Sequence, residues 1–308
     1  MRCGNTRSPA EGGRVQFHSQ LLLAGDRVVA ATDGSAASVF AFDQRTGVVR
    51  WRHRIEMDAA DSSAEDKGAR TGLTRSGQTI LFATYSGRLI ALDLETGKRQ
   101  WDFASPEFKG ADLGAFQQAV LGGRVFYGSP KALHAFDVSS GREIWQKPLA
   151  APISTGIVVS GERLYFGTAD SHVYRVNPAR GDVEATIATR YQPGYFLPSV
   201  VGTTLVVQSA GAKQLEAFDL DLKQELWSLP ANKSWGSPQM AKWGEMLIAG
   251  DEDGDAVAIR LANLSIAWTK RIGGIIRGVQ VDGDAVYAGN TLGDLVVFPA
   301  SQDSLQAR

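Results

Sequence analysis

The sequence predicts an all-β fold, a β-propeller of seven four-stranded blades, with eight blades as the alternative. Two observations carry this. First, a short phrase recurs. Ala41-Phe42-Asp43 leads through Thr46-Gly47 to Trp51, Ala91-Leu92-Asp93 through Thr96-Gly97 to Trp101, and Ala135-Phe136-Asp137 through Ser140-Gly141 to Trp145; the Trp always lies eight residues after the Asp. Second, short apolar runs separated by Gly, Asp and Ser fill the space between phrases, as strands joined by tight turns do. A fixed internal period means one supersecondary unit copied along the chain.

The later copies are degenerate. Asn177 takes the Asp place, Gly181 keeps the turn, and Ala185 stands where Trp is expected. Ala217-Phe218-Asp219 leads to Trp227 with Lys223 at the Gly place. Arg260 sits at the Asp place with Trp268 in register, and Pro299 and Ala307 are the last equivalents. The copies start at 43, 93, 137, 177, 219, 260 and 299. That spacing is the length of a propeller blade.

Each element follows from local pattern. In the first copy, residues 15–23 read as a strand, 24–26 as a turn, 27–31 as a second strand and 33–35 as a turn. Residues 39–42 and 48–53 complete the four. Blades are expected to start near 15, 69, 115, 152, 195, 235 and 275, within one domain spanning 15–308. Residues 1–14 form an N-terminal extension whose Ser8-Pro9 and Gly12-Gly13 make a poor closing strand. A short last strand is expected near Leu305.

The repeated residues have structural roles. Asp43, Asp93, Asp137 and Asp219 accept backbone N–H bonds in the turn that follows. Gly47, Gly97 and Gly141 supply a positive φ without steric cost. Trp51, Trp101, Trp145, Trp227 and Trp268 offer a large apolar face on the outermost strand, suited to wedging between blades. The small Ala41 leaves room for that packing.

Composition narrows the function classes. A net charge of −1 gives no broad basic field for nucleic acid. No stretch reaches the ~18 apolar residues of a membrane span. The N-terminus has no apolar signal-peptide core, so the protein is cytoplasmic or a leader precedes the chain as given. Cys3 is the single cysteine, which excludes an internal disulfide and a Cys-rich zinc site. No nucleophile elbow, phosphate loop or dinucleotide fingerprint is present. His18, His53, His134 and His172 fall at non-equivalent places without metal-ligand spacing.

The phrase Ala-x-Asp-x-x-Thr-Gly-x-x-x-Trp resembles the PQQ-like propeller repeat. Quinoprotein dehydrogenases and the BamB-type lipoprotein of bacterial outer-membrane barrel assembly share it. The resemblance runs from about residue 15 to the end of the chain. It implies a propeller, an extracytoplasmic location at the cell envelope and a protein-binding role. It also implies an adjacent cysteine pair at the quinone of the dehydrogenases. This chain has no such pair, so PQQ is not expected and no cofactor or metal is.

Length variation falls in the connections between blades. Residues 56–69, 104–115, 190–196 and 230–235 are the long ones, and in a propeller they share one face. Loops on a rigid scaffold are where binding concentrates. Phe108, Tyr191, Tyr195, Phe196 and Trp235 are therefore candidate anchors for a protein partner. Aligning the first strands on their Gly turns puts Arg70, Arg277 and His18 near the channel mouth, where they would hold an anion. Ser154, Thr155, Thr71 and Ile276 share these positions. The competing reading is a polar, water-filled channel. Asp251-Glu252-Asp253-Gly254-Asp255 has the look of a calcium loop, but it falls on a strand-joining turn and lacks the distant Glu of an EF-hand. The expected function is a non-catalytic binding scaffold. The alternative is a small-molecule-binding protein or an enzyme with its site at the channel mouth.

Overall fold

Short β-rich runs ending in Asp- and Gly-containing turns build antiparallel meanders throughout. The computed structural model describes residues 22–32, 37–56, 68–105, 117–194, 197–210, 214–230, 240–290, 292 and 294–301. The first blade is β1 Leu22–Ala24, β2 Arg27–Ala31, β3 Ser38–Asp43 and β4 Val49–Arg54. The second is β5 Thr74–Ser76, β6 Thr79–Ala83, β7 Arg88–Asp93 and β8 Arg99–Ala104. The third is β9 Ala119–Leu121, β10 Arg124–Gly128, β11 Ala132–Asp137 and β12 Glu143–Pro148. The fourth is β13 Val158–Ser160, β14 Arg163–Thr168, β15 His172–Val176 and β16 Val183–Ala188. The fifth is β17 Ser199–Val201, β18 Thr204–Gln208, β19 Gln214–Asp219 and β20 Glu225–Pro230. The sixth is β21 Ala241–Trp243, β22 Met246–Gly250, β23 Asp255–Arg260 and β24 Ile266–Arg271. The seventh has β25 Ile276–Asp282, β26 Ala285–Asn290 and β27 Leu295–Pro299 among the described residues.

Each sheet runs in sequence order, so the fold is the seven-bladed all-β propeller that the repeat predicts. The last strand expected near Leu305 lies outside the described residues, as do residues 15–21.

The chain divides into two compact units. Met1–Ile153 with Pro178–Asp182 holds the first three blades, and Ser154–Asn177 with Val183–Arg308 holds the other four. Within each unit the apolar cores lie between successive sheets. One joins Val39, Ala41, Ile80 and Leu92 of the first and second blades. Another joins Leu215, Ala217, Leu247 and Ile259 of the fifth and sixth. Burying sheet on sheet this way supplies the main stabilisation, at ~25 cal/mol per Å² of apolar surface.

The repeated phrase is what locks one blade to the next. Asp43 Oδ1 accepts the Thr46 N–H at 2.8 Å and the Thr46 hydroxyl at 2.8 Å, and Gly47, at φ 72°, donates its N–H to Asp43 O. A one-residue register shift precedes the acid between Ala41 and Phe42, and it recurs at the same place in the second to sixth blades. Trp51 sits opposite Ala41 across the ladder. Its indole N–H donates to Leu94 O at 3.0 Å, and its ring lies against Gly97. Trp101 does the same to Val138 O and Gly141, and Trp145 to Pro178 O and Gly181. Trp268 bonds Ala300 O at 3.0 Å. The accepting carbonyl is always one residue past the Asp place of the next blade. The motif Gly is thus required twice, for its φ and for the space the preceding Trp fills. The Trp145 staple, with Lys147–Asp182, also explains why Pro178–Asp182 belongs to the first unit.

The turn acid of the third blade carries a pH signature. The hydroxyls of Ser139 and Ser140 and the Ser140 N–H hold the Asp137 carboxyl down at about 2. A depressed folded value stabilises above the unfolded value near 3.8 and loses that contribution as pH falls through the folded one. Asp137→Asn is therefore expected to be less stable than the parent at pH 5–7, with the gap closing between pH ~4 and about 2. Urea midpoints across that range check it; a gap unchanged by pH would refute the assignment.

The degenerate copies are rebuilt rather than lost. In the sixth blade Asn263 Oδ1 accepts the Ser265 N–H and hydroxyl, doing the work of the missing acid, while Arg260 donates to Ser265 Oγ and Ile266 O. Leu264 takes the left-handed conformation at φ 57°. In the fifth blade the expectation that Lys223 stands in for Gly is corrected: the left-handed residue is Leu222, at φ 54°. Its N–H bonds Asp219 O, which tightens the turn by one residue.

Candidate interaction surface

The turns between the second and third strands share a device that the repeat search missed. In six of the blades the residue at or just after the end of the second strand caps an N–H at or just before the start of the third. Thr32 Oγ1 accepts from Ser38, Thr84 Oγ1 from Arg88, Ser129 Oγ from Ala132, Ser209 Oγ from Gln214, Asp251 Oδ1 from Asp255 and Asn290 Oδ1 from Asp294. The signal was there as a Ser, Thr, Asp or Asn eight to eleven residues before each Asp place. Turn lengths differ, so no single period exposes it.

This device accounts for two suggestive clusters. Asp251, 1 % exposed, caps its own turn, and the Asp251–Asp255 turn binds the connection into the seventh blade: Gly254 O accepts from Ile272 and Gly273, and Asp251 O from Ile276. Among the described residues no group of three His, Cys, Asp or Glu is placed to hold a metal ion. His134 lies between Glu143 Oε1, 2.7 Å from Nδ1, and Ser129 Oγ, 3.0 Å from Nε2. That is the connectivity of a hydrolase relay. Ser129 is buried, however, and its oxygen already accepts the Ala132 N–H as the turn cap. His134 stacks on Phe136 and packs against Phe103, as a core histidine does.

The predicted site residues fare differently. Phe108, Tyr195, Phe196, Trp235 and His18 lie outside the described residues, and so does the side chain of Arg277, whose backbone is in β25. Ser154, Thr155, Thr71 and Ile276 are all buried. Thr71 Oγ1 accepts the Ala83 N–H and Thr155 Oγ1 the Gly167 N–H, both at 2.8 Å. These hydroxyls tie the entering chain to the second strand of their own blade. Arg70 is half-buried, with its guanidinium over the Tyr85 ring at 5.3 Å from the centroid. Tyr85 is itself half-buried, an aromatic partner for Arg70 that the sequence does not signal.

Tyr191 is 48 % exposed at the head of the connection between the fourth and fifth blades. The backbone around it is held at every step. Thr189 Oγ1 donates to Tyr191 O at 2.7 Å, and the Arg190 N–H to Glu216 Oε1 at 2.9 Å. Ala210 N–H reaches Gln192 O, and Gly194 N–H reaches Gln208 O. Pro193 bridges Ser209 and packs against Gly167. Arg190 pairs with Glu225 at 3.1 Å. Burial pushes the Glu216 carboxyl up, and the Arg190 N–H partly offsets this. The result is an exposed aromatic ring on a backbone already fixed in place, the form of an interface anchor.

The family model described as "Outer membrane protein assembly factor BamB" matches residues 11–183 and 108–307. The chain is 28 % identical over 164 residues to outer membrane protein assembly factor BamB of Bordetella pertussis, covering 52 % of this chain and 42 % of that protein. It is 25 % identical over 299 residues to BamB of Burkholderia pseudomallei, covering 85 % and 67 %. It is also 26 % identical over 209 residues to quinoprotein alcohol dehydrogenase PedH of Pseudomonas putida, covering 65 % and 34 %. Its matched part thus spans less than half the length of the Bordetella and PedH proteins. The crystal structure of BamB from Moraxella catarrhalis superposes with a TM-score of 0.73 at 17 % identity, covering 89 % of this chain and 82 % of that one, which shows the shared fold.

Proposed function

The chain belongs to the family of outer membrane protein assembly factor BamB, and from that premise we propose that it is a non-catalytic scaffold that binds a protein partner at the cell envelope. Its place of action on this reading is extracytoplasmic. Among the described residues no helix is long and apolar enough to cross a membrane. The observation that carries the reading is Tyr191: a large ring, exposed, on a loop pinned by Glu216, Gln208 and Ala210. Such an anchor binds without a large cost for ordering the loop. Pyrroloquinoline quinone, suggested by the quinoprotein relative, does not fit the residues present. The adjacent cysteine pair implied for its site is missing, Cys3 being the single cysteine.

The test is affinity capture from a native envelope extract, with Tyr191→Ser alongside the parent. A near-stoichiometric partner is expected, its affinity falling about tenfold or more in the variant, as for a hot-spot aromatic. Equal capture by both proteins would remove Tyr191 from the interface. Absence of any captured protein would overturn the scaffold reading.

A further inference from the structure

The outer strand of the fourth blade differs from every other described outer strand of the four-stranded sheets. An edge strand presents a row of backbone donors and acceptors, and proteins guard it with Lys, Arg or Pro. β4 carries Arg50, Arg52 and Arg54; β8 carries Arg99; β12 carries Lys147 and Pro148; β20 carries Pro230; β24 carries Lys270 and Arg271. β16, Val-Glu-Ala-Thr-Ile-Ala, has none of these. Its one charge, Glu184, is engaged by Arg163, by Asn177 at 3.1 Å and by Arg175 at 3.5 Å.

This strand is also relieved of the stapling duty. It has Ala185 at the Trp place, and the carbonyl a Trp would reach, Leu220 O, is taken by Tyr165 Oη at 3.0 Å and Arg175 at 3.2 Å. Both capping residues come from inner strands of the same blade. The Thr189 N–H bonds Ser171 O, and pairing alternates from there along β15 and β16. Ile187 and Ala185 therefore turn their backbone groups toward β15, while Thr186 and Ala188 turn theirs outward.

We propose that the outer edge of β16 is a second docking surface, taking up an extended segment of another polypeptide by adding it to the sheet. The backbone groups of Thr186 and Ala188 require an extended partner. The compensated charge of Glu184 and the lack of Lys and Arg favour a segment that is uncharged over about six residues. The exposed Val183 and half-buried Ile187 favour apolar residues at alternate positions of that segment.

The test uses the full chain and a capped, fluorescein-labelled octapeptide of alternating Val and Thr, followed by anisotropy. Saturable binding is expected. Ala188→Pro removes one outward N–H without breaking a bond to β15, and Thr186→Lys adds a guarding charge. Each should weaken binding at least tenfold, whereas Thr269→Lys, the same change on the already guarded β24, should leave it unchanged. Matching thermal melts of Thr186→Lys and the parent keep the result clear of misfolding. No saturable binding, or equal binding by parent and both variants, would overturn the proposal. So would self-association of the parent that Thr186→Lys abolishes, because it would assign the edge to a second copy of the chain.

Discussion

Gly97→Ala is expected to destabilise the protein by about 3 kcal/mol, and Gly77→Ala by only about 1 kcal/mol. Both glycines are left-handed, at φ 67° and 57°. The shared cost of placing an L side chain there is about 1 kcal/mol. They differ in what the new methyl meets. At Gly77 nothing lies within 4 Å, but at Gly97 it would fall 2.4 Å from Cε3 and 2.6 Å from Cδ2 of Trp51. Those atoms belong to the body of a ring anchored by its bond to Leu94 O. The ring cannot step aside without losing that bond, worth about 1 kcal/mol, and repacking the blade interface. Urea midpoints of the two variants measure the difference. Equal losses would mean that the glycine serves only its turn and that the staple is not a packing constraint.

The second expectation concerns the place where large and small exchange. In the first three blades a Trp rests on the Gly of the next blade. Between the fourth and fifth, Ala185 stands for Trp, and Leu222 is buried in the same apolar cluster. Ala185→Trp alone should cost about 2–3 kcal/mol by overpacking. Leu222→Gly alone removes the strain at φ 54° but leaves a cavity, for a net loss of about 2 kcal/mol. The double variant restores the arrangement of the other blades. It should lose less than the sum of the two by about 2 kcal/mol, a coupling typical of residues that share space. Simple additivity in a double-mutant cycle would show that the two positions do not compensate each other.

The propeller was legible because its signal is local and repeated. Asp, Gly and Trp recur at fixed offsets within one hairpin, and the Asp43, Asp93 and Asp137 turns form as their side-chain chemistry requires. The candidate site was less legible. Register alone puts Thr71 and Thr155 beside the channel, yet their hydroxyls turn to the N–H groups of Ala83 and Gly167. A one-dimensional alignment gives a residue's position along a strand, not the group that satisfies its polar atoms. Tyr85 and the row of turn caps were missed for the related reason that their spacing follows loops of unequal length. Tyr191 could be nominated from the sequence because an aromatic in a long connection carries a direct physical meaning, and the structure gives its exposure.

By itself the sequence determined the repeat length, the order of strands and the residue type at each turn, since these depend on interactions within about ten residues, while the structure decided for seven blades over eight. Only the tertiary structure decided what each repeated residue does for its neighbour. The Trp51, Trp101 and Trp145 rings reach carbonyls 33 to 43 residues away. It also decided that Leu222, Tyr165 and Arg175 together replace a missing Trp. Packing between blades conserves total volume and satisfied carbonyls rather than residue identity. It can therefore be met by different side chains from different strands, a solution that leaves no period in the chain.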